Sequence, residues 1–213
     1  MMNWNTARQS RTRSRRRSRS AFTLIEMLVV IVIIGALITV SAPAIDGVLR
    51  SSRLTSTADN LRNYLSGAQQ LAVAQNVEVE VRISETISAS AIDRLPRVRT
   101  LRTYVLRSDS SSGTGAYVRE GAPLKLDDAV AISAQPSLSS LLNRTFQSDP
   151  DEPQGSRYVS FHFFPDGSTD LPSGQPWFLT LLEDKHASAA TAPANFVTIQ
   201  VHPTSGKLRT FRP

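Results

Sequence analysis

Between Ala21 and Ala42 the chain reads AFTLIEMLVVIVIIGALITVSA, and Glu26 is its one charged residue. A carboxylate there costs about 2.5–3.5 kcal/mol at mid-bilayer and less near an interface. Its presence calls for a positive partner, or for a short reach up to the lipid headgroups. Other residues able to do chemistry are poorly arranged for it. His162, His186 and His202 stand far apart with neither HxxxH nor HExxH spacing, so no zinc site is expected. No serine lies in GxSxG, the chain has no cysteine, and no GxGxxG or P-loop occurs. The expectation is therefore no catalytic residue, no metal, no cofactor and no small-molecule substrate. Asp149, Asp151 and Glu152 form a short proline-broken acidic run that could hold calcium, but reads more simply as a solvated turn.

Charge is unevenly spread. Arg8, Arg11, Arg13, Arg15, Arg16, Arg17 and Arg19 precede Ala21 without a single acid, and residues 8–20 contain nothing but Arg, Ser, Thr and Gln. Such an arm has no apolar face to bury and should be disordered in water. The whole chain has 24 Lys+Arg against 18 Asp+Glu and a pI near 10.3. Removing the seven arginines of the arm leaves 17 against 18, so the basicity belongs to the arm and nucleic-acid binding by the rest is not expected. Arg94, Arg97, Arg99, Arg102 and Arg107 are the exception, close enough in sequence to build a basic patch; the plainer reading is a solvated strand edge. With 213 residues, 40% of them hydrophobic, the collagen-like and disulfide-scaffold classes are excluded.

Residues 21–42 would make a helix of roughly 33 Å, long enough for the hydrocarbon layer. The arginines before it place the N-terminus in the cytoplasm and export the remainder. Three readings of this start are open. A cleaved secretory signal could use Val40-Ser41-Ala42, although the apolar run is long for one and Pro43 would follow the cut. A plain membrane anchor explains length and orientation but not Glu26. The third reading comes from a resemblance, taken up below.

Past Pro43 the pattern becomes amphipathic. Ile45, Val48, Leu49, Leu54, Leu61, Tyr64, Leu65, Ala68, Leu71 and Ala72 recur mostly at spacings of three and four, which predicts one helix continuing the apolar one to Asn76, packed on a sheet. Val77–Ile83 alternates strictly and predicts a half-buried strand. Further strands are predicted at Thr100–Arg107, Ala116–Arg119, Ala129–Ser133, Tyr158–Phe164, Trp177–Leu182, Phe196–Val201 and Leu208–Phe211. Asp166-Gly167 and Thr204–Lys207 read as tight connections between antiparallel neighbours; 108–115, 147–155 and 187–194 read as loops. The expected fold is α+β: a long N-terminal helix on an antiparallel sheet. Its divisions are a leader (1–21), an apolar helix (22–42), an amphipathic half (43–76) and a β-rich domain (77–213).

Ala21 through Val30, AFTLIEMLVV, resembles the processing site of type IV prepilins and type II secretion pseudopilins: a basic leader, a small residue, then FTLIE and an apolar helix. The resemblance implies cleavage by prepilin peptidase between Ala21 and Phe22 and N-methylation of Phe22. This chain has Ala21 where that family usually has glycine. It further implies that Glu26 meets the N-terminal amine of a neighbouring subunit, and that Pro43 stands at the helix kink. Phe163-Phe164-Pro165-Asp166-Gly167-Ser168 and a closing hairpin at Gly206 resemble the type H, or FimT-like, minor pseudopilins. The Arg/Ser leader, WFLTL (177–181), NFVTIQV (195–201) and the final Arg-Pro also resemble the proteins called Verru_Chthon cassette protein D.

The function implied is that of a structural pilin-like subunit. Its partners would be prepilin peptidase, other pilin-like subunits, inner-membrane lipid and a filament assembly machinery. It would cross the bacterial inner membrane once, with the globular part periplasmic, before joining an envelope filament of a type IV pilus or type II secretion-like system. The alternative is a membrane-anchored periplasmic binding module, with DNA uptake as one use.

Overall fold

The computed structural model describes residues 22–87, 96–108, 115–149 and 156–213, and the side chains of 40–46, 86, 87 and 108 are outside the description. Two compact units are present, Met1–Ala44 and Ile45–Pro213. One helix, α1 (Leu24–Gln75), begins in the first and continues in the second.

In the second unit α1 buries Leu54, Thr57, Ala58, Leu61, Leu65, Ala68 and Ala72, a run of three- and four-residue steps that lines up one face. Val48 and Leu49, expected in this stripe, are instead exposed, so the buried face starts about one turn later than the periodicity indicates. The helix stops at Asn76, whose φ of 54° is left-handed, and Val77 N–H bonds to Ala72 C=O at 3.1 Å. Asparagine tolerates that conformation, and the bond satisfies a carbonyl the helix end would leave open.

The strands are β1 (Val79–Ile87), β2 (Pro96–Ser108), β3 (Gly115–Lys125), β4 (Val130–Ile132), β5 (Gln147–Ser148), β6 (Arg157–Phe163), β7 (Trp177–Glu183), β8 (Val197–Val201) and β9 (Leu208–Phe211). They form one antiparallel sheet in the order β5-β6-β1-β2-β4-β7-β8-β9, with β3 paired to β2 as well. The expected α+β architecture is present. Its core joins the helix stripe to Val79, Val81 and Ile83, to Phe161 and Phe163, and to Leu179, Leu181 and Ile199. Each such side chain taken out of water contributes about 1.5–3 kcal/mol.

Three expectations need correction. β1 is buried on both faces, since Glu80 and Ser84 are 4% and 0% exposed. The cause is its central place: Arg82 bonds Glu80 at 2.9 Å and lies over the Tyr104 and Tyr158 rings, 3.8 and 4.6 Å from their centroids. Next, Asp166-Gly167 does make a tight turn, with Phe164 N–H on Ser168 C=O and a bridge between Phe163 and Thr169. It does not join sheet neighbours, because β7 pairs with β4 and β8 rather than β6.

The arginine stretch is the third. β2 is an interior strand, and Arg97, Arg99 and Arg102 are buried in it. Arg97 Nε and Arg99 Nη2 lie 3.0 and 2.6 Å from Asp184 Oδ1, and Arg99 Nη2 donates to Asp128 C=O at 2.6 Å. Register pairing between β2 and β4 consists of Val98 with Ile132, so these bonds brace a seam that has little ladder of its own. Arg102 Nη1 donates to Ser84 Oγ at 3.2 Å and lies 3.5 Å from Asp149 Oδ2. Arg107 is exposed and pairs with Glu120 at 3.0 Å, whereas Arg94 lies outside the described residues. This stretch is neither a basic patch nor a solvated edge. Unpaired charges cannot remain in an interior strand, so each buried guanidinium has drawn an acid to it.

Candidate functional site

Thr23 stands immediately before α1, and its Oγ1 accepts the Glu26 backbone N–H at 3.2 Å, while Met27 N–H reaches Thr23 C=O at 3.2 Å. Thr23 is therefore the N-cap and Glu26 the third helical residue, the arrangement of a capping box. Such a cap contributes about 0.5–2 kcal/mol to holding the first turn. An acid in that turn also faces the positive end of the helix dipole. The sequence reading missed this Thr23 cap, although Thr-x-x-Glu ahead of an apolar run is a legible signature.

Phe22 lies just outside the helix and is 66% exposed. Every side chain from Phe22 to Thr39 is exposed, Leu24, Ile31, Val32, Leu37 and Ile38 among them. A helix face this apolar, covered by nothing among the described residues of its unit, is suited to lipid or to other helices around it. Among the described residues no helix is long and apolar enough to cross a membrane; the described side chains of the apolar run end at Thr39. Ala21 lies outside the described residues, and Pro43 lies within α1 without a described side chain. Phe22 and Glu26 are thus brought within one turn of each other at the exposed start of α1.

Residues 16–42 match the family described as the prokaryotic N-terminal methylation motif. The start of the chain carries that motif. The match takes in the end of the basic arm, the Ala21–Phe22 junction and the whole apolar run, and leaves 43–213 outside it. No curated protein matches the sequence. Two solved structures of the minor pseudopilin EpsH from the type 2 secretion system of Vibrio cholerae resemble it loosely. Each is 14% identical over 76% of this chain, with TM-scores of 0.43 and 0.45 and coverage of 98% and 96% of those chains.

Elsewhere in the chain a cluster of titratable residues gathers around His162. His162 Nδ1 lies 3.2 Å from Asp170 Oδ2, and Arg144 Nη2 donates to the same oxygen at 2.6 Å; Asp170 Oδ1 accepts the His162 N–H at 2.8 Å. Glu78, just ahead of β1, lies 4.0 Å from His162 Nε2 and accepts the Tyr117 hydroxyl at 2.8 Å. Burial works to lower the His162 pKa, but its bond to Asp170 and the charges of Asp170, Glu80 and Glu78 outweigh it and raise the value. For Asp170 burial works upward, and the His162 bonds together with Arg144 outweigh it and lower the value. His186 and His202 are remote from this group, His202 Nδ1 serving the turn at Ser205. Among the described residues no group of three or more His, Cys, Asp or Glu could hold a metal. Of the acidic run, Asp149 is spent on Arg102 and Ser84, and Asp151 and Glu152 lie outside the described residues.

These opposite shifts set a pH window. The raised histidine adds stability below its ordinary value of 6.5, and that contribution is lost as pH rises through the higher folded value. The lowered carboxyl adds stability above its ordinary 3.8, and loses it as pH falls through the lower folded value. The cluster should contribute most between those two ordinary values. Melting temperature followed from pH 6 to pH 8 is expected to fall, and His162→Asn should remove that step; a step of equal size in the variant refutes the assignment.

Proposed function

We propose that this chain is a structural pilin-like subunit, a pseudopilin, of a bacterial envelope filament. The leader 1–21 is removed by prepilin peptidase between Ala21 and Phe22, and the new amino terminus at Phe22 is methylated. The apolar half of α1 holds the subunit in the inner membrane, N-terminus cytoplasmic and the unit from Ile45 onward periplasmic, until an assembly machinery draws it into a filament among other pilin-like subunits. The observation that carries this reading is the methylation motif over residues 16–42. The uncovered apolar helix supports it, because packing against like helices, or against lipid, is the environment such a surface needs. So does the division of the chain just after the apolar run, which lets the second unit stand outside the bilayer on its own core.

Processing is tested at the small residue before the cut. Ala21→Glu should block cleavage and leave a chain heavier by the 21-residue leader, while Ala21→Gly should be cut at least as well as the parent. Mass spectrometry of the mature N-terminus reads both, with methyl-Phe22 as the expected first residue. An unmethylated or uncut parent chain would favour a binding module with a plain anchor.

A further inference from the structure

A cleft of about 550 Å³ opens in the second unit between the 3-10 turn Ser140–Asn143, the start of β5 and the polar face of β6. Its size is within the roughly 300–1,000 Å³ of ordinary ligand sites. The charged part of its lining is already matched internally, since Arg144 and His162 both hold Asp170. Neither an anion nor a cation would find an unopposed charge there. The uncharged part is different. Asn143 and Thr145 are exposed in the cleft, and neither side chain makes a hydrogen bond among the described residues. Ser160 also lines it, is 9% exposed, and its hydroxyl has no partner among the described residues. Its oxygen is reached by solvent, so a ligand entering the cleft can bond it. Gln147 accepts the Tyr158 hydroxyl at 3.0 Å and keeps its amide N–H groups for another acceptor. Pro172 and Trp177 supply an apolar strip, with Trp177 Nε1 fixed on Pro172 C=O at 2.7 Å.

We propose that this cleft binds a neutral oligosaccharide. Amide and hydroxyl groups with free donors and acceptors match the mixed donor-acceptor hydroxyls of a sugar. The planar Arg144–Asp170 pair retains N–H groups and lone pairs able to take two adjacent hydroxyls, and the Pro172 strip suits the C–H face of a pyranose ring. A peptide is less well served, because the described lining offers its side chains little apolar depth; an anion would meet Asp170. The inference stands apart from the processing of the N-terminus.

Trp177 is a built-in reporter, the chain's other tryptophan being Trp4 in the leader. The experiment uses the full chain carrying Trp4→Phe in a detergent without sugar, such as lauryldimethylamine oxide. Chitotriose, maltotriose and cellotriose are titrated while Trp177 emission is followed. A saturable change with at least one of them is expected, with binding weakened at least tenfold in the Asn143→Ala, Ser160→Ala double variant. The exposed Asn143→Ala alone, which disturbs no core packing, should weaken it at least threefold. No saturable response to any of the three sugars overturns the proposal. So does a sugar response unchanged in the variants, or saturation by inorganic phosphate or trialanine in place of the sugars.

Discussion

Glu26→Ala is expected to abolish recovery of the chain in sheared filaments while leaving its membrane insertion and its cleavage intact. Removal of an intramembrane charge makes insertion slightly easier, and the residues at the Ala21–Phe22 junction are untouched. What is lost is the partner for an amine. In the proposed filament the Phe22 amine of one subunit meets the Glu26 carboxylate of its neighbour, two desolvated charges that satisfy each other only in the correct register. Stranding one of them in a low-dielectric setting costs about 3–5 kcal/mol. The Thr23 cap gives this test a second arm. Glutamine serves the third position of a capping box as well as glutamate does, so Glu26→Gln preserves the helix start and deletes the charge alone. If charge pairing is the decisive role, Glu26→Gln fails in assembly nearly as fully as Glu26→Ala. Normal incorporation of Glu26→Gln beside failure of Glu26→Ala would assign the residue to capping instead. The readout is the ratio of cleaved chain in sheared filaments to cleaved chain in the membrane.

Gly206→Ala should strongly destabilise the second unit. Gly206 has φ +59°, a conformation costing a residue with Cβ about 1–2 kcal/mol, and the added carbon would lie 2.4 Å from Gly167 O and 2.4 Å from Gln69 Nε2. One of those contacts is backbone, so the turn itself has to move. Gln69 ties this region together: its Nε2 donates to Gly167 C=O at 2.8 Å and to Ser205 C=O at 2.9 Å, fastening the turns after β6 and β8 to α1. Displacing Gly206 weakens both bonds, each worth about 0.5–1.5 kcal/mol. The summed loss is about 2–5 kcal/mol, a drop of roughly 4–20 °C for a domain of this size. Gly174→Ala is the control, since its new Cβ would meet nothing within 4 Å and the backbone there is not left-handed. Thermal melts of the two variants should differ widely; equal melting temperatures would show that the Gln69 junction is pliant.

Most strands were legible because alternation and turn residues are local signals: β9 falls at Leu208–Phe211 as expected, and Asn76 ends the helix through its own conformational tolerance. The N-terminal segment was legible for the same reason, with Glu26 in an apolar run after seven arginines standing out in a single pass of the sequence. Strand order was not. Nothing local tells that β2 lies between β1 and both β3 and β4, and from that placement it follows that Arg97, Arg99 and Arg102 are buried ion-pair partners. An arginine run reads as surface until the acids that meet it, Asp184 and Asp149, are known, and these lie 87 and 47 residues away. The same holds for the Gln69 junction, which joins residues 98 and 136 positions apart, and for the cleft, whose lining comes from four separate stretches of chain. By itself the sequence determined the apolar helix, its charged start and, apart from β5 at Gln147–Ser148 where a loop was expected, the succession of helix and strands, because each depends on neighbours within a few residues. Which polar side chains are buried, paired or left open was decided by tertiary structure alone, since burial depends on what the rest of the chain brings to lie against them.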